Sequence, residues 1–180
     1  MAEVIYDLNP VTWITAGAVG QPGQRTFYIQ ARQGSKLVTL LAEKGQVQAL
    51  AIGIEQLLDA LAAQRPEGEP AAKMPSEADQ ALLEPLDAAF RVGDLGLGYD
   101  EQHDLLVLVA QELLEEEEQE KRKPVMARFW ATRAQMRAMS QHAAAVVTAG
   151  RPLCPLCGLP IDPAGHICPK RNGHGPATPS

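Results

Sequence analysis

Cysteine is missing from everything that precedes Cys154 in this 180-residue chain. A body without thiols has no disulfide framework, so burial and hydrogen bonding must hold it together. Aromatic residues are nearly as scarce, at 4% of the chain, so the core has to be filled by Leu, Val, Ile and Ala. No apolar run approaches the roughly 20 residues that a membrane helix needs. The opening Met-Ala-Glu-Val-Ile-Tyr-Asp also lacks the basic-then-apolar order of a signal peptide. These absences point to a cytoplasmic protein without membrane attachment.

Catalytic and phosphate-binding signatures are absent too. The stretch from Gly17 to Thr26 holds no Gly-Lys-Ser/Thr. Gly93-Asp94-Leu95-Gly96-Leu97-Gly98 does not follow the Gly-x-Gly-x-x-Gly order, and no helix is predicted after it. Both read as hairpin glycines. His103 and His142 have no acid and nucleophile at a readable spacing and are expected to be lone surface histidines. The sequence therefore points away from an enzyme.

What is present begins with two kinds of periodicity. Glu3 to Leu8 and Val11 to Val19 read as strands, separated by Asn9-Pro10. After the turn residues Gly20-Gln21-Pro22-Gly23, Phe27, Ile29 and Ala31 alternate along a third strand. Gln33-Gly34-Ser35 offers a hairpin into Lys36 to Glu43. The period then changes. Val47, Leu50, Ile54, Leu57, Leu58 and Leu61 recur at three and four residues, which is an amphipathic helix of about four turns. Gly53 inside it suggests close packing on a sheet.

The second half repeats the plan. A strand is expected from Ala89 to Tyr99, another from His103 to Leu113, a charged loop from Glu115 to Lys123, and a strand from Val125 to Ala131. A helix follows from Thr132 to Ala149, with Thr132 and Gln135 at capping-box spacing and Met136, Met139, Ala143, Val146 and Val147 as its apolar stripe. The fold class is α+β: a mostly antiparallel sheet with two helices on one face and a small C-terminal zinc knuckle. The halves can be laid over one another, Phe27 onward against Phe90 onward, as in a pseudo-repeat. The domain is expected to span 1–150, the knuckle 151–175, and a disordered end 176–180.

All three cysteines lie in that knuckle, with two histidines, in the order Cys154-x₂-Cys157-x₈-His166-x-Cys168-x₅-His174. Thiolates with imidazole favour Zn²⁺. A redox Cys-x-x-Cys opens a helix, which Pro-Leu-Cys-Gly-Leu-Pro cannot do. Cys154, Cys157, His166 and Cys168 form a Cys₃His set, with His174 as the alternative to His166. Four ligands leave no open position, so the site reads as structural.

Net charge is −6, but Arg151, Lys170 and Arg171 against Asp162 give the tail +2 and the body −8. An acidic body argues against general nucleic-acid binding. Lys121, Arg122, Lys123, Arg128, Arg133 and Arg137, with Phe129 and Trp130 among them, suggest a nucleic-acid patch. Glu115 to Glu118 and Glu120 neutralise the first three, so a solvated charged surface is the stronger reading.

The tail motif, with Phe27-Tyr28-Ile29-Gln30-Ala31-Arg32 and Phe129-Trp130-Ala131-Thr132-Arg133, resembles an uncharacterised conserved family of bacterial, mainly actinobacterial, proteins. In that family the genes tend to lie beside those for a phosphomutase of histidine-phosphatase type and a lipid-kinase-like protein. The resemblance implies no catalytic residues. It adds the reading of an enzyme or accessory subunit working with that phosphomutase-like neighbour. The leading expectation is a cytosolic, non-enzymatic zinc protein that binds another protein, of oligomeric state the sequence leaves open. The rival is nucleic-acid binding through the basic tail.

Residues 65–79 carry Pro66, Gly68, Pro70 and Pro75 among acids and alanines and read as an exposed, mobile linker. Limited proteolysis should therefore cut there first. Earlier cleavage inside 36–62 would show that helix and linker are misplaced.

Overall fold

A computed structural model describes residues 2–21, 23–65, 76–149, 154–158, 161, 166–171 and 176–177. Residues 66–75 of the expected linker lie outside the described residues, as do most of 176–180. The chain divides into two compact units. The first is Met1–Ala18 with Thr26–Val147, and the second is Val19–Arg25 with Thr148–Ser180.

The first unit is built on seven strands: β1 (Glu3–Leu8), β2 (Trp13–Val19), β3 (Thr26–Gln33), β4 (Lys36–Ala42), β5 (Ala88–Asp100), β6 (Leu105–Glu112) and β7 (Val125–Ala131). Their order in the sheet is β1-β7-β6-β5-β4-β3-β2. The pairs β3–β4, β5–β6 and β6–β7 are antiparallel, whereas β1–β7 and β4–β5 are parallel. Helix α1 (Lys44–Gln64) crosses over between β4 and β5, and α3 (Arg133–Thr148) follows β7. A four-residue helix, α2 (Glu116–Gln119), sits in the expected charged loop. The α+β class with a mostly antiparallel sheet is the architecture observed.

This sheet cannot be flat. β1 and β2 are at opposite ends of the order, six strand spacings apart, or roughly 29 Å in a flat sheet. The chain from Leu8 to Trp13 reaches at most about 18 Å. The sheet curls, and Asn9–Thr12 joins its two ends. The Val11 N–H donates to the Trp130 carbonyl of β7 (2.8 Å), and the Thr12 N–H donates to the Arg32 carbonyl of β3 (2.7 Å).

Strand alternation places the aliphatic residues on the helix-bearing face. Ile29 pairs with Leu40, Leu108 with Phe129, and Leu8 with Phe129 from the other side. All five are fully buried. Helix α1 adds Val47, Leu50, Ala51, Ile54, Leu58 and Leu61, and α3 adds Met136, Met139, Ala143 and Val147. A Cβ at Gly53 would lie 3.2 Å from Leu97 Cδ1, so the missing side chain lets α1 approach β5. The Ser140 hydroxyl donates to Glu55, tying α3 to α1. The predicted capping box at the start of α3 is present: Thr132 N–H donates to Gln135 Oε1 at 2.9 Å, and Gln135 N–H to Thr132 Oγ1 at 3.1 Å.

The opposite face of β2–β4 is polar yet buried. Thr15, Gln30 and Thr39 are covered by the segment that follows a 3-10 turn at Glu77–Gln80. Gln30 donates to the Leu83 carbonyl (2.9 Å) and accepts from the Leu83 N–H (2.8 Å), and Thr15 donates to the Gln80 carbonyl (2.6 Å). A side-chain amide thus supplies the pair of bonds a neighbouring strand would supply.

The turn between β5 and β6 differs from expectation. His103 and Asp104 belong to it, and β6 starts at Leu105. Asp104 has a φ of 50° and accepts from Arg133 Nε (2.9 Å) and the Tyr99 hydroxyl (2.6 Å). Arg133, almost fully buried, also donates to the Arg65 carbonyl at the end of α1 (2.7 Å). Burial works to raise the Asp104 pKa, but the bonds from Tyr99 and Arg133 outweigh it and hold the carboxyl below its ordinary 3.8. A carboxylate depressed on folding stabilises fully above its unfolded pKa and loses that contribution as pH falls through the folded one. Asp104→Asn should thus melt lower than wild type at neutral pH and lose less stability between pH 5 and pH 2. Parallel pH–melting profiles for the two proteins would refute this network's role.

Candidate metal centre

The second unit carries the cysteines, and local chain chemistry brings them together. Cys154-Pro155-Leu156-Cys157 forms a turn closed by Gly158 N–H donating to the Cys154 carbonyl at 2.8 Å. Gly158 has a φ of 74°, a conformation in which glycine escapes the Cβ clash of other residues. Further on, β8 (His166–Ile167) pairs with β9 (Pro176–Ala177), and Cys168 directly follows β8. Cys154, Cys157 and Cys168 place their sulfurs within 4.8 Å of one another. Cys154 and Cys168 are buried, as is Ile161, and these three form a small core against which Cys157 packs.

The donor set can be tested against a metal. Cys154 Sγ and Cys168 Sγ are 3.8 Å apart, and none of the three thiols is in a disulfide. A disulfide needs about 2.05 Å. Two thiolates at the usual Zn–S length of about 2.3 Å with a tetrahedral angle lie about 3.8 Å apart. The residues fit a tetrahedral thiophilic ion. Of the predicted ligands, the structure assembles Cys154, Cys157 and Cys168. His166 is placed in β8, but its side chain is outside the described residues, as is the whole of His174. Ile161 was not anticipated as a site residue. Its sequence signal is weak, because Leu153, Leu156, Leu159 and Ile167 are equally aliphatic residues of the same tail.

The other sequence candidates fall elsewhere. Phe129 is fully buried, so it offers no stacking surface. Arg128 donates to Asp7 at 2.7 Å and lies over the Trp130 ring, whose N–H also donates to Asp7. Arg122 donates to both Glu112 oxygens at 2.7 and 3.0 Å, and these bonds lead in holding the Glu112 pKa below its ordinary value. Arg133 pairs with Asp104. His103 is not alone, because its Nδ1 is 2.7 Å from Asp100 Oδ2. Asp100 also accepts from the Gln102 N–H at 2.9 Å, so this pair fastens the turn.

Fold and site together define a curled-sheet α+β protein with a three-thiol centre. The chain belongs to the family described as protein of unknown function DUF3090, whose model matches residues 6–168 and so takes in all three cysteines. No curated protein and no solved structure matches it.

Purified protein should carry about one thiophilic metal ion per chain, and cobalt replacing it should show thiolate-to-metal charge transfer. Gly158→Ala forces a left-handed alanine at about 1–2 kcal/mol, so metal should bind about tenfold more weakly. Metal-free protein from a non-stripping purification would sink the assignment.

Proposed function

We propose that this is a non-enzymatic zinc-binding protein in which the knuckle of Cys154, Cys157 and Cys168 presents a surface to another protein. The observation that carries the reading is the sulfur cluster, with a Cys154–Cys168 separation that matches tetrahedral zinc. Zn²⁺ is proposed over softer or redox-active ions because thiolate with imidazole suits it. His166 is proposed as the fourth ligand, with His174 as the alternative. A closed set would make the ion a structural staple, in keeping with an adaptor role in the cytoplasm.

The charge arrangement supports a protein partner over nucleic acid. Arg122, Arg128 and Arg133 each pair with a carboxylate. Phosphate would have to displace those acids before it could bind.

The test is crosslinking and affinity capture in native lysate with wild type and Cys154→Ser, at low and high salt. A defined protein captured by wild type and lost in the variant bears the reading out. Capture of RNA or DNA that is lost steeply with salt would replace it with the nucleic-acid reading. Capture unchanged in Cys154→Ser would place the partner surface on the first unit.

A further inference from the structure

The first unit contains a cleft that the zinc reading leaves unused. It has a volume of about 480 Å³ and lies where β5, β6 and the chain around α2 converge. That size is in the range of small-molecule sites. Two of its walls are held in place by specific bonds. The register of β5 against β6 shifts between Val92 and Asp94. Gln46, from the first turn of α1, donates to the Val92 and Gly93 carbonyls there, at 3.0 and 3.1 Å. Gly93 is needed at this bulge, because a Cβ would lie 3.1 Å from Leu113 Cα. Bulges of this kind re-aim the side chain that follows, and here that residue is Asp94.

Across the cleft, Glu112 takes both bonds from Arg122 and a third from the Val125 N–H at 3.1 Å. Gln119 donates to the Leu114 carbonyl at 2.9 Å. These charges and amides are committed to the protein. Two charged side chains of the lining are not: among the described residues, the Asp94 carboxylate and the Lys123 ammonium have no ion-pair partner. They line one concavity with opposite signs, and no ion pair joins them to each other. Leu113, also in the lining, is about half exposed at 48%.

We infer that this cleft binds a small zwitterion of the free amino acid class, its ammonium on Asp94, its carboxylate on Lys123 and an aliphatic side chain on Leu113. A ligand with one charge would leave the other group of the cleft unanswered. A ligand with both completes two ion pairs at once, and the second forms at the high effective concentration set by the first. This site is separate from the zinc reading and stands or falls without it.

The experiment is amide-detected NMR titration of the full-length protein with L-leucine, N-acetyl-L-leucine and L-leucinamide. The capped compounds each remove one charge and keep the side chain. Leucine should shift Asp94, Gln111–Leu114, Gln119 and Lys123, and each capped compound should bind about tenfold more weakly. Asp94→Asn should abolish the preference for leucine over N-acetyl-leucine while keeping that over leucinamide. Lys123→Gln should do the reverse. The wild-type series decides the matter even if a variant fails to fold. No shifts at millimolar leucine, shifts elsewhere only, or equal binding of all three compounds would overturn the inference.

Discussion

The four residues Asn9–Thr12 are the constraint on which the first unit depends. They must carry the chain from one end of a seven-stranded sheet to the other, and their reach is shorter than the flat sheet is wide. Closure follows, and with it the positions of β7 and β3, whose carbonyls at Trp130 and Arg32 accept from this bridge. It also explains why β1 lies parallel to β7. The chain enters at the end of the order next to β7, and β1 must point toward the bridge that leads to β2. The second parallel junction, β4–β5, has a local cause, because α1 returns the chain to the end where β4 began. The β3–β4, β5–β6 and β6–β7 pairs are made by hairpins or short connections and are antiparallel.

Such a sheet pairs residues far apart in sequence. Glu3 registers with Val125 across nearly the whole unit. Pairing at that distance leaves no periodic trace in the chain, so β1 could be read as a strand but not placed. The elements that were legible are those whose signals are local. Val125–Ala131 alternates in burial, and Lys36–Ala42 follows a hairpin turn at Gly34. Thr132 and Gln135 state a helix start, and Leu50, Ile54, Leu58 and Leu61 state a buried stripe. Gln30 and Thr39 fail as sequence signals for the opposite reason. They are polar by type and buried by position, because a segment some fifty residues downstream folds over them. His103 was misread although its partner is three residues away. Asp100 folds back over its own turn, the behaviour of Asx side chains, and an imidazole at the third position completes it.

The cysteine site was legible because few chemistries tolerate three thiols so close. The chain supplies a Cys-x-x-Cys turn and a left-handed Gly158, and Cys168 joins the pair directly after β8. What remained hidden was Ile161, since packing beneath a ligand set has no spacing rule. The two units also differ in what holds them. The first has the aliphatic core of a full domain. Among the described residues, the small core of the second consists of Cys154, Ile161 and Cys168, with Cys157 against it. Burying one isoleucine contributes about 1.5–3 kcal/mol, which the ordering of two or three residues already cancels. A bound metal ion would supply free energy on the required scale, since in such segments metal binding and folding free energy coincide.

Charge then separates the two surfaces further. On the first unit the arginines that look like a nucleic-acid patch in sequence are consumed in holding the sheet and its turns. Arg128 links β7 to β1 through Asp7, Arg133 links α1, α3 and the β5–β6 turn, and Arg122 fixes the end of β6. Their replacement would be read as lost stability before it was read as lost binding. Asp94 and Lys123 stand apart from this pattern, because among the described residues neither charge is in an ion pair. They lie beside a bulge whose carbonyls are satisfied from α1. The register slip is supported from a helix, and the side chain that follows it lines the cleft proposed to take a ligand. The cleft is lined by residues of the first unit alone, and the cysteine cluster that could hold a metal ion lies in the second. The proposed ion and the inferred ligand would therefore each be read on a separate unit, and loss of one leaves the test of the other intact.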